Sequence, residues 1–93
     1  MKKKKYCIVK RKGHEEEFDD RKVYNTCYAA CLSAHTPYKE AEQICKRVSK
    51  DMKKWVRSRK VVTSDQIFKK TVLLLQKLDE NAAFMYATHR DIS

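Results

Sequence analysis

The sequence predicts an α+β fold, mainly helical, in which an N-terminal β-hairpin with a candidate short third strand caps a four-helix bundle. Three observations predict it. The 93 residues contain one Gly and one Pro, too few turn formers for a sandwich or barrel of short strands. Apolar residues at 42% and charged residues at 37% suit a small core and exclude a disordered chain. Helical periodicity recurs through the chain from residue 20 onward, whereas Tyr6-Cys7-Ile8-Val9 is rich in strand formers. A chain this short holds one core. The expected organisation is a basic tail at 1–5, a single domain at 6–90 and a frayed end at 91–93.

The elements follow in order. Residues 6–18 read as a hairpin, with Lys12-Gly13-His14 as the turn and Glu15–Phe18 as the return strand; the only glycine stands where a turn needs positive φ. Asp19 or Asp20 can cap the first helix, whose face is Val23, Cys27, Ala30, Cys31 and Ala34. Thr36-Pro37 ends it and opens the second, with Thr36 as N-cap and Pro37 at the first helical position. The stripe of that helix is Ala41, Ile44, Cys45, Val48, Met52, Trp55 and Val56, ending near Ser58. Val61-Val62 is β-branched and can form a short extended piece. Thr63-Ser64-Asp65-Gln66 reads as a capping box. Ile67, Thr71, Leu74, Leu75 and Leu78 then face the core, and Asp79 caps a fourth helix with Ala82, Ala83, Met85 and Tyr86 inward.

Several functions are disfavoured. The longest run of branched aliphatic residues is Val72–Leu75 and no apolar run exceeds six residues, far below the roughly 20 residues that span a bilayer. Lys2–Lys5 precede no apolar segment of the signal-peptide kind, so the expected location is the cytoplasm, away from membranes. Cys7, Cys27, Cys31 and Cys45 form no Cys-x-x-Cys pair and lie on strand or helix faces. They read as buried free thiols rather than as a structural metal site or disulfides. His14, His35 and His89 share no ligand spacing, and Glu15–Glu17 read as a solvated edge. Nothing points to catalysis, and a domain this small has little room for a cleft. The reading is a binding module, not an enzyme.

The net charge of +10 is distributed unevenly. Eight cations stand between Lys46 and Lys60, opposed only by Asp51. Such a face is either a solvated helix surface or a surface for polyanions. The hairpin carries a more local pattern. Lys10 and Arg11 adjoin at the end of a strand, and Lys22 lies one turn into the following helix. Packing hairpin against helix can bring these cations toward one small volume, with Val9, Phe18, Val23 and Ile67 as apolar surface. Ammonium and guanidinium groups suit phosphates, and apolar surface suits a base, so the pattern fits a nucleotide.

Lys10-Arg11, Gly13, Glu16, Phe18-Asp19 and Lys22-Val23, followed by Val62-Thr63-Ser64, Ile67, Leu78-Asp79-Glu80, Ala82, Tyr86-Ala87 and Arg90, resemble the ATP-cone family. These are regulatory nucleotide-binding domains of ribonucleotide reductases and of the repressor of their genes. The resemblance covers about residues 6–90. It implies ATP or dATP as bound effector, with Mg2+ as its companion ion, and binding without hydrolysis. It implies that Lys10, Arg11 and Lys22 hold phosphates, that Glu16 makes a polar contact, and that Val9, Phe18, Val23 and Ile67 line the base. Thr63 would present a hydroxyl at a helix N-terminus, where phosphate is favoured. It also implies self-association or a host enzyme or regulator as partner. Lys12 stands where the family usually has Asp or a small polar residue, and Ile67-Phe68 occupy a stretch where some members have His. The alternative reading is a degenerate cone that acts as a basic nucleic-acid- or protein-binding adaptor, with only weak and non-specific nucleic-acid binding.

Overall fold

The computed structural model describes residues 8–90, with side chains to residue 88. The basic tail at 1–5, Tyr6, Cys7 and the end at 91–93 lie outside the described residues. The chain runs β1 (Ile8–Arg11), β2 (His14–Glu17), α1 (Asp20–Ser33), α2 (Tyr38–Arg57), β3 (Val61–Thr63), α3 (Ser64–Leu78) and α4 (Glu80–Arg90). This is the α+β, mainly helical architecture the sequence predicts, and the third strand is present.

The hairpin turn is tighter than expected. Arg11 pairs with His14, so the loop is Lys12-Gly13 alone and β2 begins one residue early. Both loop residues have positive φ, 34° and 88°, as a type I′ turn requires. The sheet order is β2-β1-β3, with β3 parallel to β1. Val9 lies opposite Glu16 on one side and Val62 on the other. Strand alternation therefore gives Val9, Val62 and Glu16 one face, and Lys10, Glu15 and Thr63 the other. Val9 and Val62 are buried. They pack with Val56 at the end of α2 and against Phe18, Trp55 and Ile67.

The main core lies below, where Val23, Cys27, Cys31, Ala41, Cys45, Val48, Met52, Leu75, Ala82 and Ala83 are buried together. Asp19 caps α1 by accepting the amide of Arg21 at 3.0 Å. Asp79 caps α4 by accepting the amide of Ala82 at 3.1 Å. The capping box of α3 is complete: Thr63 Oγ1 accepts from the Gln66 amide, and Gln66 Oε1 accepts from the Thr63 amide, both at 3.0 Å.

The expected cap of α2 is not formed. Pro37 occupies the N-cap position and no side chain bonds the first turn. Thr36 Oγ1 instead donates to Asp79 Oδ2 at 2.6 Å, because a charged acceptor brought alongside by the fold outcompetes a local amide. Leu78 is also more exposed than its periodicity suggests; it lies in the last turn of α3, where the chain leaves for α4. Among the described residues no helix is long and apolar enough to cross a membrane.

Candidate functional site

The hairpin turn and the start of α3 meet because β1 and β3 are parallel neighbours. Lys10 is the register partner of Thr63, and Thr63 is the N-cap of α3. An open groove of about 540 Å³ results, lined by Lys10, Arg11, Lys12, Gly13, His14 and Glu15 from the hairpin and by Thr63, Ser64 and Asp65 from α3. Such a volume lies within the range of small-ligand sites. Lys10 Nζ stands 3.9 Å from Glu15 Oε2, both exposed, a pair weak enough for an incoming anion to displace. Arg11 and Lys12 have no ion pair among the described residues. Thr63 Oγ1 uses a lone pair on the Gln66 amide, which leaves its proton available to an acceptor.

The remaining sequence-predicted residues lie beneath and beside the sheet. Lys22 Nζ is 3.4 Å from Glu16 Oε1, which ties the first turns of α1 to β2. Val9 and Val23 are 5% exposed. Phe18 and Ile67 are half-buried and touch both apolar clusters, so they form the seam between sheet and bundle. The structure thus brings Lys10, Arg11 and Thr63 together at one groove. It gathers Glu16 with Lys22, and Val9, Phe18 and Ile67 with one another, on the helix-facing side. Lys22 lines a second, wider groove, with Phe18, Lys53, Val56, Arg57, Arg59 and Lys60. Lys12, Ser64 and Asp65, which line the groove, were not singled out as site residues by the sequence; a cation in a two-residue turn was the available signal.

Two titratable features accompany these sites. The hydrogen bonds from Arg21 hold the Asp19 carboxyl below its usual range. Below the sheet, Cys27, Cys31 and Cys45 are free and buried, with sulfurs within 4.8 Å of one another. Burial, then neighbouring Cys45, pushes the Cys31 thiol up to about 12. Hydrogen bonding to Cys27 and burial push Cys45 higher still. Cys31 and Cys45 are thus held as protonated thiols at neutral pH.

The ATP cone domain family matches residues 6–90. The chain belongs to the ATP-cone domain family. Domains of this family are regulatory nucleotide-binding domains, not catalytic ones, and bind ATP or dATP as effectors. None of the curated proteins matches the chain. The groove presents two cations without ion pairs, one weakly paired cation, a hydroxyl and a helix N-terminus, beside the carboxylates of Glu15 and Asp65.

Proposed function

We propose that this ATP cone binds ATP or dATP, without hydrolysing it, and passes the bound state to a partner surface. The observation that supports this most is the juxtaposition of Lys10, Arg11 and Thr63 around one groove in a chain of this family. In this reading the phosphates lie across the hairpin tip, held by Lys10, Arg11 and the hydroxyl of Thr63. Mg2+ arrives on the triphosphate. The base lies toward the seam of Val9, Phe18, Val23 and Ile67, where Glu16 and Lys22 supply polar contacts. Val9 and Val23 are covered in the free protein, so seating the base requires the sheet to hinge slightly away from the helices. That movement is what a regulatory domain needs. An effector shifts an equilibrium only by binding one state better than another, and a sheet displaced by a base is such a state. The partner is a second copy or a host enzyme or regulator in the cytoplasm.

Isothermal titration with ATP, dATP and GTP tests the reading. Heat with the adenine nucleotides, weaker heat with GTP, and unchanged nucleotide after incubation are expected. Absence of heat with every nucleotide, in protein shown to be folded, would overturn it.

A further inference from the structure

The long second helix carries a charge pattern of which only Lys53 and Arg57 border the groove that holds Phe18 and Lys22. At helical spacing Lys46, Lys50, Lys53 and Arg57 fall within an arc of roughly 60°, with Lys54 and Arg47 beside them. All six are exposed. Asp51 pairs with Arg47 at 3.5 Å and Asp20 with Lys53 at 3.8 Å. Lys46, Lys50, Lys54 and Arg57 have no ion pair among the described residues. Beyond the helix Arg59 lies over the Trp55 ring at 4.6 Å, and exposed Lys60 follows. None of these residues lines the groove at the hairpin tip.

What the stripe lacks identifies its partner. Among the described residues the exposed large apolar ones are Leu32, Tyr38, Val61, Leu73, Leu78 and Phe84, and none lies between Lys46 and Lys60. A helix that binds an acidic protein or a lipid surface interleaves apolar anchors with its cations. This face offers charge alone, in a straight line. From Lys46 to Arg57 the helix rises about 17 Å, over which one strand of a duplex presents about five phosphates. We propose that the α2 stripe is a docking surface for the phosphate backbone of a nucleic-acid duplex, read without regard to sequence. The proposal is independent of nucleotide binding at the hairpin.

The test is binding of the full chain to random-sequence DNA and RNA duplexes, followed by fluorescence anisotropy from low to physiological salt. The variant K46Q/K50Q removes two cations that have no ion pair, so folding is preserved. K69Q/K77Q removes the same charge from α3, and K2Q/K3Q/K4Q/K5Q removes the basic tail. K46Q/K50Q is expected to flatten the slope of log affinity against log salt by about 2 and to weaken binding about tenfold at 0.15 M salt, on DNA and RNA alike. K69Q/K77Q and the tail variant are expected to leave the slope within about 0.5 of the parent. Equal loss in K46Q/K50Q and K69Q/K77Q would reduce the effect to net charge and overturn the proposal. So would loss confined to the tail variant, or capture of poly-glutamate or anionic vesicles through the stripe with no duplex binding at physiological salt.

Discussion

Gly13 sits at φ 88° with nothing within 4 Å of where a Cβ would stand. Gly13→Ala therefore costs backbone conformation and not a clash, roughly 1–2 kcal/mol, and Gly13→Asn costs less. Denaturant midpoints of the two variants check the order. Thr63 carries two duties. Thr63→Ala is expected to cost about 1 kcal/mol of stability through the lost cap, whereas Thr63→Ser keeps both the cap and the hydroxyl. If Thr63 also meets phosphate, the Ala variant loses nucleotide affinity beyond the loss of fold, which calorimetry at a temperature where both variants are folded will show. Lys10→Ala, Arg11→Ala and Lys22→Ala are each expected to weaken nucleotide binding by about 1.5–3 kcal/mol with little change in the thermal midpoint of the free protein. At this scale the sequence was legible where partners are local. Thr63 and Gln66 lie three residues apart and their box forms as read. Thr36 was misread because its acceptor, Asp79, lies 43 residues away and no local pattern announces it.

The seam between α1 and α2 is filled by Cys27, Cys31 and Cys45, all 0% exposed. Two of these thiols have raised pKa values in the folded state. Above the ordinary thiol value of 9.0 the unfolded chain gives up protons that the folded chain keeps, so stability falls as pH rises from about 9 toward about 12. Each such thiol contributes a slope of up to about 1.4 kcal/mol per pH unit. Tyr24, raised chiefly by burial, acts in the same direction. Chemical unfolding across this range, with C31A/C45A compared with the parent, checks it: the slope, and not the absolute stability, is expected to flatten. Leu75 is fully buried in α3, and Leu75→Ala is expected to cost about 2–5 kcal/mol. The helices were legible because a 3.6-residue period survives in the sequence, with Ala41, Cys45, Val48, Met52 and Val56 buried as their spacing implies. Ser49 was not foreseen as buried; its hydroxyl donates to the Asp20 carbonyl at 3.3 Å across the α1–α2 contact. That partner comes from tertiary packing, which periodicity does not encode.

For the whole molecule, a ligand that binds only the native state raises its stability by about 2.7 kcal/mol at a concentration a hundred times its dissociation constant. ATP is expected to raise the thermal midpoint in the parent and to raise it less in Lys10→Ala, as a melting series will show. Self-association would employ exposed apolar surface such as Leu73 and Phe84, 55% and 68% exposed. The charge of +10 opposes association, and bound triphosphate relieves part of that repulsion. Sedimentation with and without ATP is expected to show a larger species with nucleotide; identical profiles would count against regulation through oligomers. The sequence shows cations on the hairpin and on α1, but not their distribution over two sides of a sheet. Adjacent strand residues point to opposite faces, and which face meets the helices is decided by Val9 pairing with Val62.

That parallel pairing also sets the order in which the molecule can assemble. The hairpin closes through a two-residue turn and forms locally, on the microsecond scale of such ribbons. β3 reaches β1 only after α1 and α2 have brought its start back, since Val9 and Val62 are roughly 50 residues apart in the chain. The groove therefore has one early wall and one late wall. Amide hydrogens of Ile8 and of β3, the former bonded to the Lys60 carbonyl at 3.0 Å, report on that late closure. Their exchange with deuterium is expected to run faster than that of the α1–α2 core, because the edge pairing opens without unfolding the bundle. A nucleotide spanning Lys10 and Thr63 would clasp the two walls and slow this exchange selectively. The last contact made in folding would then be the one that records whether the effector is present.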